Sequence, residues 1–251
     1  MNLPILFFLA VIALAACSGP DSSGETIPAS SEKLNPPLLS PSKPLPSAAG
    51  YGTLEKSMRD AGLVDISVAA PGILVDLKYS STDNFLRMDV YGDLQTAFLR
   101  REAAEKLAKA QKKLADLKPD FHLLVYDAAR PRRVQYIMWE KVNLPDKINY
   151  VANPETGSIH NFGMAVDLTV ANNDGKPLDM GTEFDYFGPL AQPQLEPAFL
   201  ADGKLSKEQI SNRELLRSVM RSGGFYGIET EWWHFVADWD SVVRSNCDII
   251  E

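Results

Sequence analysis

The chain has 251 residues, of which 45% are hydrophobic and 23% are charged, and this composition is typical of a globular protein with one well-buried domain. Its formal net charge of −8 argues against a nucleic-acid partner, because such surfaces normally need clustered Lys and Arg. The acidic balance is otherwise compatible with small ligands and with plain solubility alike.

An export signal is predicted in residues 1–16. The apolar run from Ile5 to Ala16 is shorter than the ~20 residues that cross a bilayer as a helix. The run ends in Leu-Ala-Ala before Cys17 and resembles the lipobox of bacterial lipoproteins, in which that cysteine is acylated. A plain secretory signal is the alternative. We therefore expect a periplasmic protein anchored through lipid on Cys17, and Ser18 favours the outer membrane of a Gram-negative bacterium.

Residues 17–50 are predicted to form a membrane tether. They are rich in Pro and Ser and contain too few apolar residues to offset the entropy cost of ordering the chain. One folded domain is expected to occupy residues 51–251. If Cys17 carries lipid, Cys247 has no intrachain partner, so no disulfide is expected and this thiol is more typical of an inert residue than of a catalyst.

Several elements follow from hydrophobic spacing. Apolar residues at helical intervals predict an amphipathic helix over residues 99–117, which Pro119 ends. Residues 121–126 form a short apolar run that predicts a buried strand. The next helix is predicted to open with Pro131 at its first position and to run to about Val142.

The second half of the domain predicts further strands and one more helix. Residues 164–170 alternate in polarity, so Asp167 points away from the apolar face, toward a cleft or solvent. A capping box at residues 211–214 predicts the start of a helix that Gly223 and Gly224 end. Residues 228–236 are a further strand candidate. The predicted fold class is α+β, a single domain with a mainly antiparallel sheet and flanking helices.

Two of the three histidines lie in segments that also carry a carboxylate. His160 precedes Gly163 in a loop that can fold back beside the strand of Asp167, and His234 follows Glu231. Two imidazoles and one carboxylate can hold zinc with a fourth position open for water, and a second carboxylate can accept a proton from that water. Taken singly, a loop histidine and a solvated aspartate are the ordinary interpretations.

The spacing of Glu231 and His234 leaves their geometry open. On a regular strand, residues three apart face opposite sides, so both can serve one metal site only if the segment bends or bulges, or if one residue lies farther out. The third histidine, His122, sits in an apolar strand and is interpreted as structural. A fourth protein ligand would also close a zinc site to water.

Residues 158–167 contain the pattern Ser-x-His-x-x-Gly-x-Ala-x-Asp, and residues 231–234 contain Glu-x-Trp-His. Together they are similar to the signature of the zinc D-Ala-D-Ala metallopeptidases, which share a fold with the hedgehog signalling domain. Other segments resemble the D-alanyl-D-alanine dipeptidases, the group that includes the vancomycin-resistance dipeptidase. These segments are residues 76–79, 83–85, 127–131, 181–185 and 224–225.

The resemblance implies one zinc ion per chain, held by His160, Asp167 and His234. It also implies that Glu231 is the general base, which takes a proton from the water at the zinc and delivers it to the leaving amine. These four residues carry the chemistry that the resemblance predicts.

Other roles are implied around the metal. Arg130 would stabilise the oxyanion, and an Arg that only bonds carbonyl groups at the turn is the alternative. Asp185 would hold the free ammonium of the substrate, and Ser158 would bond its backbone. Tyr79 and Phe85 would line the pocket, although core packing explains them equally well.

The resemblance therefore predicts a zinc dipeptidase of the cell envelope that hydrolyses D-Ala-D-Ala to two D-alanines. Its expected partners are the dipeptide and the membrane, without nucleic acid and without an obligate protein partner. One alternative is a D,D-carboxypeptidase or endopeptidase that acts on peptidoglycan stem peptides. The other is a non-catalytic zinc module that binds wall peptides.

Overall fold

The computed structural model describes residues 54–92, 94–142 and 150–251. The predicted signal peptide, residues 1–16, and the predicted tether, residues 17–50, lie outside the described residues, as does the lipid site at Cys17. The division of the chain into these parts stays a prediction. Within the described ranges, every helix is too short or too polar to cross a membrane.

The described residues form seven short or medium helices and two sheets. The helices are α1 (Leu54–Asp60), α2 (Ile66–Ala69), α3 (Arg101–Leu117), α4 (Arg132–Lys141), α5 (Glu196–Ala201), α6 (Lys207–Gly223) and α7 (Asp240–Asn246). The strands are β1 (Val64–Asp65), β2 (Leu74–Val75), β3 (Phe98–Leu99), β4 (Phe121–Asp127), β5 (Ala165–Asn172), β6 (Tyr226–Gly227) and β7 (His234–Val236).

The larger sheet has five strands in the order β2-β4-β5-β7-β6. Strand β2 runs parallel to β4, and the other neighbours are antiparallel. Strands β1 and β3 form a separate antiparallel pair. The predicted α+β class with a mainly antiparallel sheet is confirmed.

Most of the apolar stripe predicted for helix α3 is confirmed as buried. Ala103, Leu107, Ala110 and Leu114 are fully buried, whereas Leu117 is 47% exposed because the helix ends there. The helix begins at Arg101 instead of residue 99, since Phe98–Leu99 pairs with β1 as a strand.

Helix α6 packs closely on α3 and begins earlier than predicted. Its capping box is formed by Ser206 and Gln209, so residues 211–214 lie inside the helix and the prediction that they start it is wrong. Gly224 ends the helix in the left-handed conformation at φ 96°, as predicted. A Cβ atom on Gly223 would lie 2.6 Å from the carbonyl oxygen of Lys106, so glycine is required for this close approach.

Two further boundaries differ from prediction. Pro131 is the residue before α4, not its first residue, and the helix ends at Lys141. The predicted strand over residues 228–236 is wrong, because β6 and β7 pair antiparallel and the chain between them must turn back. Only His234–Val236 of that range is in a strand.

Strand β5 is buried on both faces. Asp167 and Thr169, on the face predicted to be polar, are 4% and 1% exposed. Asp167 therefore faces a cleft and not open solvent, and this face of β5 forms the floor of the candidate site.

Candidate active site

The sheet places Asp167 beside His234. The two residues are direct partners in the antiparallel register of β5 and β7. Side chains of directly opposed residues in antiparallel strands project from the same face. This register brings together two of the three predicted metal ligands.

The third predicted ligand, His160, lies in a single helical turn that leads into β5. Ser158 caps this turn, and its backbone N–H donates to Oδ1 of Asn161 at 2.6 Å. Gly163 ends the turn in the left-handed conformation at φ 69°, and a side chain would be strained there. The turn folds the chain back so that His160 meets the start of the strand, as predicted.

The candidate ligand atoms lie close together, and each carboxylate oxygen of Asp167 faces a different histidine. The Nε2 atom of His160 lies 3.2 Å from Nδ1 of His234 and 3.3 Å from Oδ2 of Asp167. The Nδ1 atom of His234 lies 2.9 Å from Oδ1 of Asp167. Ligand atoms at 2.0–2.1 Å from a tetrahedral zinc ion lie about 3.3 Å from one another. The three residues therefore fit a metal ion of this kind.

The orientation of His160 is fixed by the backbone. Its Nδ1 atom donates a hydrogen bond to the carbonyl oxygen of Ala128 at 2.7 Å. The proton on Nδ1 leaves Nε2 with its lone pair free for a metal, which is the usual role of such outer hydrogen bonds. The turn after β4 thus holds one ligand in the required tautomer.

The candidate ligands shift one another's pKa values. Burial opposes ionisation of Asp167, but His160 and His234 outweigh it and hold the pKa of Asp167 well below its ordinary value. Burial lowers the pKa of His160, but the Asp167 carboxylate outweighs it and raises that pKa above its ordinary value. The cluster attracts a cation, whether that cation is a proton or a metal.

Glu231 lies in the turn between β6 and β7 and lines the same cavity as the three ligands. Because the turn precedes β7, the strand alternation that separates residues 231 and 234 does not apply. Burial raises the pKa of Glu231 to about 8, and the neighbouring Asp167 and Asp185 act in the same direction although His234 opposes them. A carboxyl with this raised basicity suits a proton acceptor.

Arg130 brings a positive charge to the cavity wall, and the residue is 7% exposed. Its Nε and Nη2 atoms donate to Oδ2 of Asp127 at 3.0 and 2.5 Å, and Nη1 donates to Oε1 of Gln135 at 2.8 Å. Burial lowers the pKa of Arg130, but Asp127 outweighs it and holds the pKa well above its ordinary value. The guanidinium bonds are made to side chains, so the alternative of an Arg that only bonds carbonyl groups does not describe this site.

The predicted substrate residues line the same cavity. The Tyr79 hydroxyl donates to both carboxylate oxygens of Asp185, each at 3.1 Å. Burial raises the pKa of Asp185 to about 8, and Asp167 adds to the rise. Phe85 meets Tyr79 edge to face with ring centroids 6.1 Å apart. Ser158 also lines the cavity, so all nine predicted site residues are brought together.

Several residues of the site were not predicted. Gln135 has no role that spacing reveals, although its Nε2 atom donates to the Ala152 carbonyl at 2.8 Å while its Oε1 holds Arg130. Asp127 lies in the segment 127–131 that carries the family resemblance, but its hydrogen bond to Arg130 is visible only in the folded structure. Tyr150 and Phe187 complete the wall and carry no sequence signal.

His122 lies away from this cavity. Its Nδ1 atom contacts the Gly72 carbonyl oxygen at 2.7 Å, and its Nε2 atom contacts Oδ1 of Asn173 at 2.9 Å. Both ring nitrogens are therefore engaged in structural hydrogen bonds, in agreement with the structural interpretation of this histidine.

The cavity of about 220 Å³ contains a buried His–Asp–His cluster together with a carboxyl and a guanidinium group. This arrangement is typical of a metal-dependent hydrolase. Residues 59–248 match the sequence profile of the D-Ala-D-Ala dipeptidase family. The chain therefore belongs to this family of metallopeptidases.

Individual relatives support the assignment. The D-alanyl-D-alanine dipeptidase of Escherichia coli is 35% identical over 176 residues, which cover 69% of this chain and 83% of that protein. The D-alanyl-D-alanine dipeptidase of Enterococcus faecium is 30% identical over 194 residues, which cover 70% of this chain and 92% of that protein. The Synechocystis protein of the same name is 30% identical over 167 residues, covering 55% of this chain and 68% of its own length.

Proposed function

We propose that this protein is a zinc-dependent enzyme that hydrolyses the dipeptide D-Ala-D-Ala to two D-alanines. The observation that carries the proposal is the cluster of His160, Asp167 and His234, which faces Glu231 inside a cavity of about 220 Å³. Pockets for drug-sized ligands have volumes of about 300–1,000 Å³, so this cavity suits a smaller molecule. The names of the relatives support the choice of dipeptide.

A zinc ion held by His160, Asp167 and His234 would supply a Lewis acid that polarises the scissile carbonyl and lowers the pKa of water to about 7. Glu231 takes a proton from the attacking water and delivers it to the nitrogen of the leaving D-alanine. The partly buried setting that raises the pKa of Glu231 makes its carboxylate a stronger base than an exposed one.

Arg130 stabilises the negative charge that develops on the carbonyl oxygen. Its guanidinium is already fixed by Asp127 and Gln135, so little reorganisation is needed when that charge forms. Asp127 also accepts a hydrogen bond from the Tyr91 hydroxyl at 2.6 Å, which holds the carboxylate in turn.

Asp185 binds the free ammonium of the dipeptide. The carboxylate lines the same cavity as the proposed metal ligands, and the Tyr79 hydroxyl orients it by sharing its one proton between both carboxylate oxygens. A buried ammonium requires an opposite charge, so this pairing favours a substrate with a free amino end. Ser158 bonds the substrate backbone; its support is that it lines the same cavity.

We also propose that the enzyme acts in the periplasm, held to a membrane by lipid on Cys17. This proposal rests on the amino-terminal sequence alone. An enzyme placed there would recycle dipeptides released from peptidoglycan instead of depleting a cytoplasmic precursor. Fractionation of cells that express wild type and Cys17→Ala tests it, and a wild type found in the cytosol would contradict it.

The activity is tested by measuring D-alanine release from D-Ala-D-Ala and from a muramyl pentapeptide by the zinc-loaded protein. Release from the dipeptide alone, stopped by a chelator, is the expected result. Release from the pentapeptide would instead identify a D,D-carboxypeptidase. Zinc binding without turnover of either peptide would identify a module that binds wall peptides.

A further inference from the structure

A second and larger cavity lies directly behind one wall of the active-site cavity. Its volume is about 780 Å³, against about 220 Å³ for the cavity that His160, Asp167 and His234 line. Phe85, Asp185 and Phe187 line both cavities. These three residues, called the partition below, are all that the two lining sets share among the described residues.

The partition is held by side-chain contacts between segments that are distant in sequence. The Phe187 ring lies between Phe85 and Tyr150, with a centroid distance of 4.9 Å to each. The Asp185 carboxylate is tied to the Tyr79 hydroxyl. The barrier between the cavities is therefore made of rings and one carboxylate, without a strand of the sheet.

The segment that carries Phe187 has an anchor of its own. Phe184 packs against Tyr126 and Trp233, with ring centroids 5.1 and 5.5 Å apart. Asp185 adopts the left-handed conformation at φ 61°, which costs free energy for a residue other than glycine and persists only where the surroundings hold it. Phe184 and the Tyr79–Asp185 contact do not involve the Phe187 ring, so truncation of that ring is expected to leave the segment in place.

The position of the partition has a direct consequence for the substrate. If Asp185 binds the ammonium of the dipeptide, the amino end of the substrate points at the partition. A peptide with one more residue at this end must pass through it, and the second cavity is the space that lies beyond.

We propose that the partition is the substrate-length filter of this enzyme and that the cavity behind it is a latent subsite for a third residue. This inference rests on the proposed dipeptidase function and adds the residues that limit it to dipeptides. Removal of the Phe187 ring joins the two cavities, so that Gly-D-Ala-D-Ala is hydrolysed to Gly-D-Ala and D-alanine.

The experiment compares kcat/KM for Gly-D-Ala-D-Ala and D-Ala-D-Ala in the full-length zinc-loaded protein. The variants are Phe187→Ala and the milder Phe187→Leu, and the matched control is Tyr186→Ala. Tyr186 is the adjacent aromatic residue, is 44% exposed and lines only the second cavity. The ratio of the two substrates is the readout, because a partly unfolded population lowers both rates equally.

Phe187→Ala is expected to raise the tripeptide-to-dipeptide ratio by about tenfold or more, Phe187→Leu by less, and Tyr186→Ala not at all. An unchanged ratio in both Phe187 variants, with dipeptide turnover retained, would overturn the filter and leave the dipeptidase function standing. Equal turnover of both peptides by wild type would overturn it as well. Failure of wild type to cleave D-Ala-D-Ala would overturn the proposed function itself, so the two failures are distinguishable.

Discussion

The Nε2 atom of His160 and the Nδ1 atom of His234 lie 3.2 Å apart, although the residues are separated by 74 positions in the chain. Two different ring nitrogens converge because His160 donates its Nδ1 proton to the Ala128 carbonyl, while His234 presents Nδ1 toward Asp167. This convergence links the helical turn before β5 to strand β7, next to β5 in the sheet. It is the structural basis of the proposed metal site.

The first prediction concerns metal content. The wild type is expected to bind one zinc ion per chain, and His160→Ala is expected to lose it, because only two of the proposed ligands remain. The zinc-bound wild type is expected to gain about 4 kcal/mol of unfolding free energy at a free zinc concentration 1,000 times Kd. Metal analysis after dialysis and thermal unfolding with and without chelator measure both effects.

His122→Gln is the matched control, since this histidine makes only structural hydrogen bonds to Gly72 and Asn173. The variant is expected to keep one zinc per chain. Loss of zinc from His122→Gln together with retention in His160→Ala would contradict the assignment of ligands.

The second prediction concerns pH. In the metal-free protein the pKa of His160 lies above its ordinary value of 6.5, because Asp167 outweighs the effect of burial. The free energy of unfolding that the His160–Asp167 pair contributes is fully present below pH 6.5. It is lost as the pH rises through the raised pKa of His160. Zinc requires the unprotonated ring, so zinc affinity is expected to fall as pH is lowered toward 5.

Competition with a chromophoric chelator at pH 5.5, 6.5 and 7.5 measures this dependence. The metal-free protein and the zinc-bound protein are expected to show opposite slopes of unfolding free energy across the same range. Zinc affinity that does not change between pH 7.5 and 5.5 would show that His160 is not a ligand.

The third prediction separates catalysis from positioning at Arg130. Arg130→Ala is expected to lower kcat by about 10²–10³-fold, the usual cost of removing one oxyanion donor. Gln135→Leu, which removes an acceptor of the guanidinium, is expected to lower kcat by about tenfold without loss of zinc. Gln135→Glu restores an acceptor for Arg130 and is expected to recover part of that loss.

Gln111→Leu is the control for Gln135. Gln111 is also buried, and its Oε1 atom accepts from the Leu123 backbone N–H at 2.8 Å, away from the site. Loss of this hydrogen bond is expected to lower the free energy of unfolding, while kcat is preserved. An equal fall of kcat in the Gln111 and Gln135 variants would reduce Gln135 to a general structural role.

The fourth prediction tests the ammonium site. Asp185→Asn keeps the shape of the side chain and removes its charge, so KM for D-Ala-D-Ala is expected to rise about 10–100-fold, in line with about 1.5–3 kcal/mol for a charged hydrogen bond. Asp179→Asn, which changes a carboxylate that lines only the second cavity, is the control. Steady-state kinetics measure both, and an unchanged KM in Asp185→Asn would refute the pairing.

The sequence predicted the parts of the site whose chemistry is local. The proposed ligands His160, Asp167 and His234 and the proposed base Glu231 stand in short motifs whose residue types match zinc hydrolysis, and the structure brings all four to one cavity. The alternation of residues 164–170 predicted the direction of Asp167, because strand geometry fixes it without tertiary information.

Features that depend on contacts between distant segments could not be predicted. Gln135 holds Arg130 only because α4 follows the turn at the required angle, and Phe187 closes the cavity only because Phe85 and Tyr150 meet it there. The start of α6 was misplaced because a capping box with similar chemistry, formed by Ser206 and Gln209, lies just upstream of residues 211–214. Pairing of β6 with β7 likewise overrides the apolar pattern between them.

The most direct test of the account measures zinc content and D-Ala-D-Ala hydrolysis side by side in wild type and Glu231→Gln. The amide keeps the shape of Glu231 and removes its capacity to accept the proton from water. We expect one zinc per chain in both proteins, with D-alanine release by the wild type alone. Wild-type turnover by Glu231→Gln would contradict the proposed mechanism.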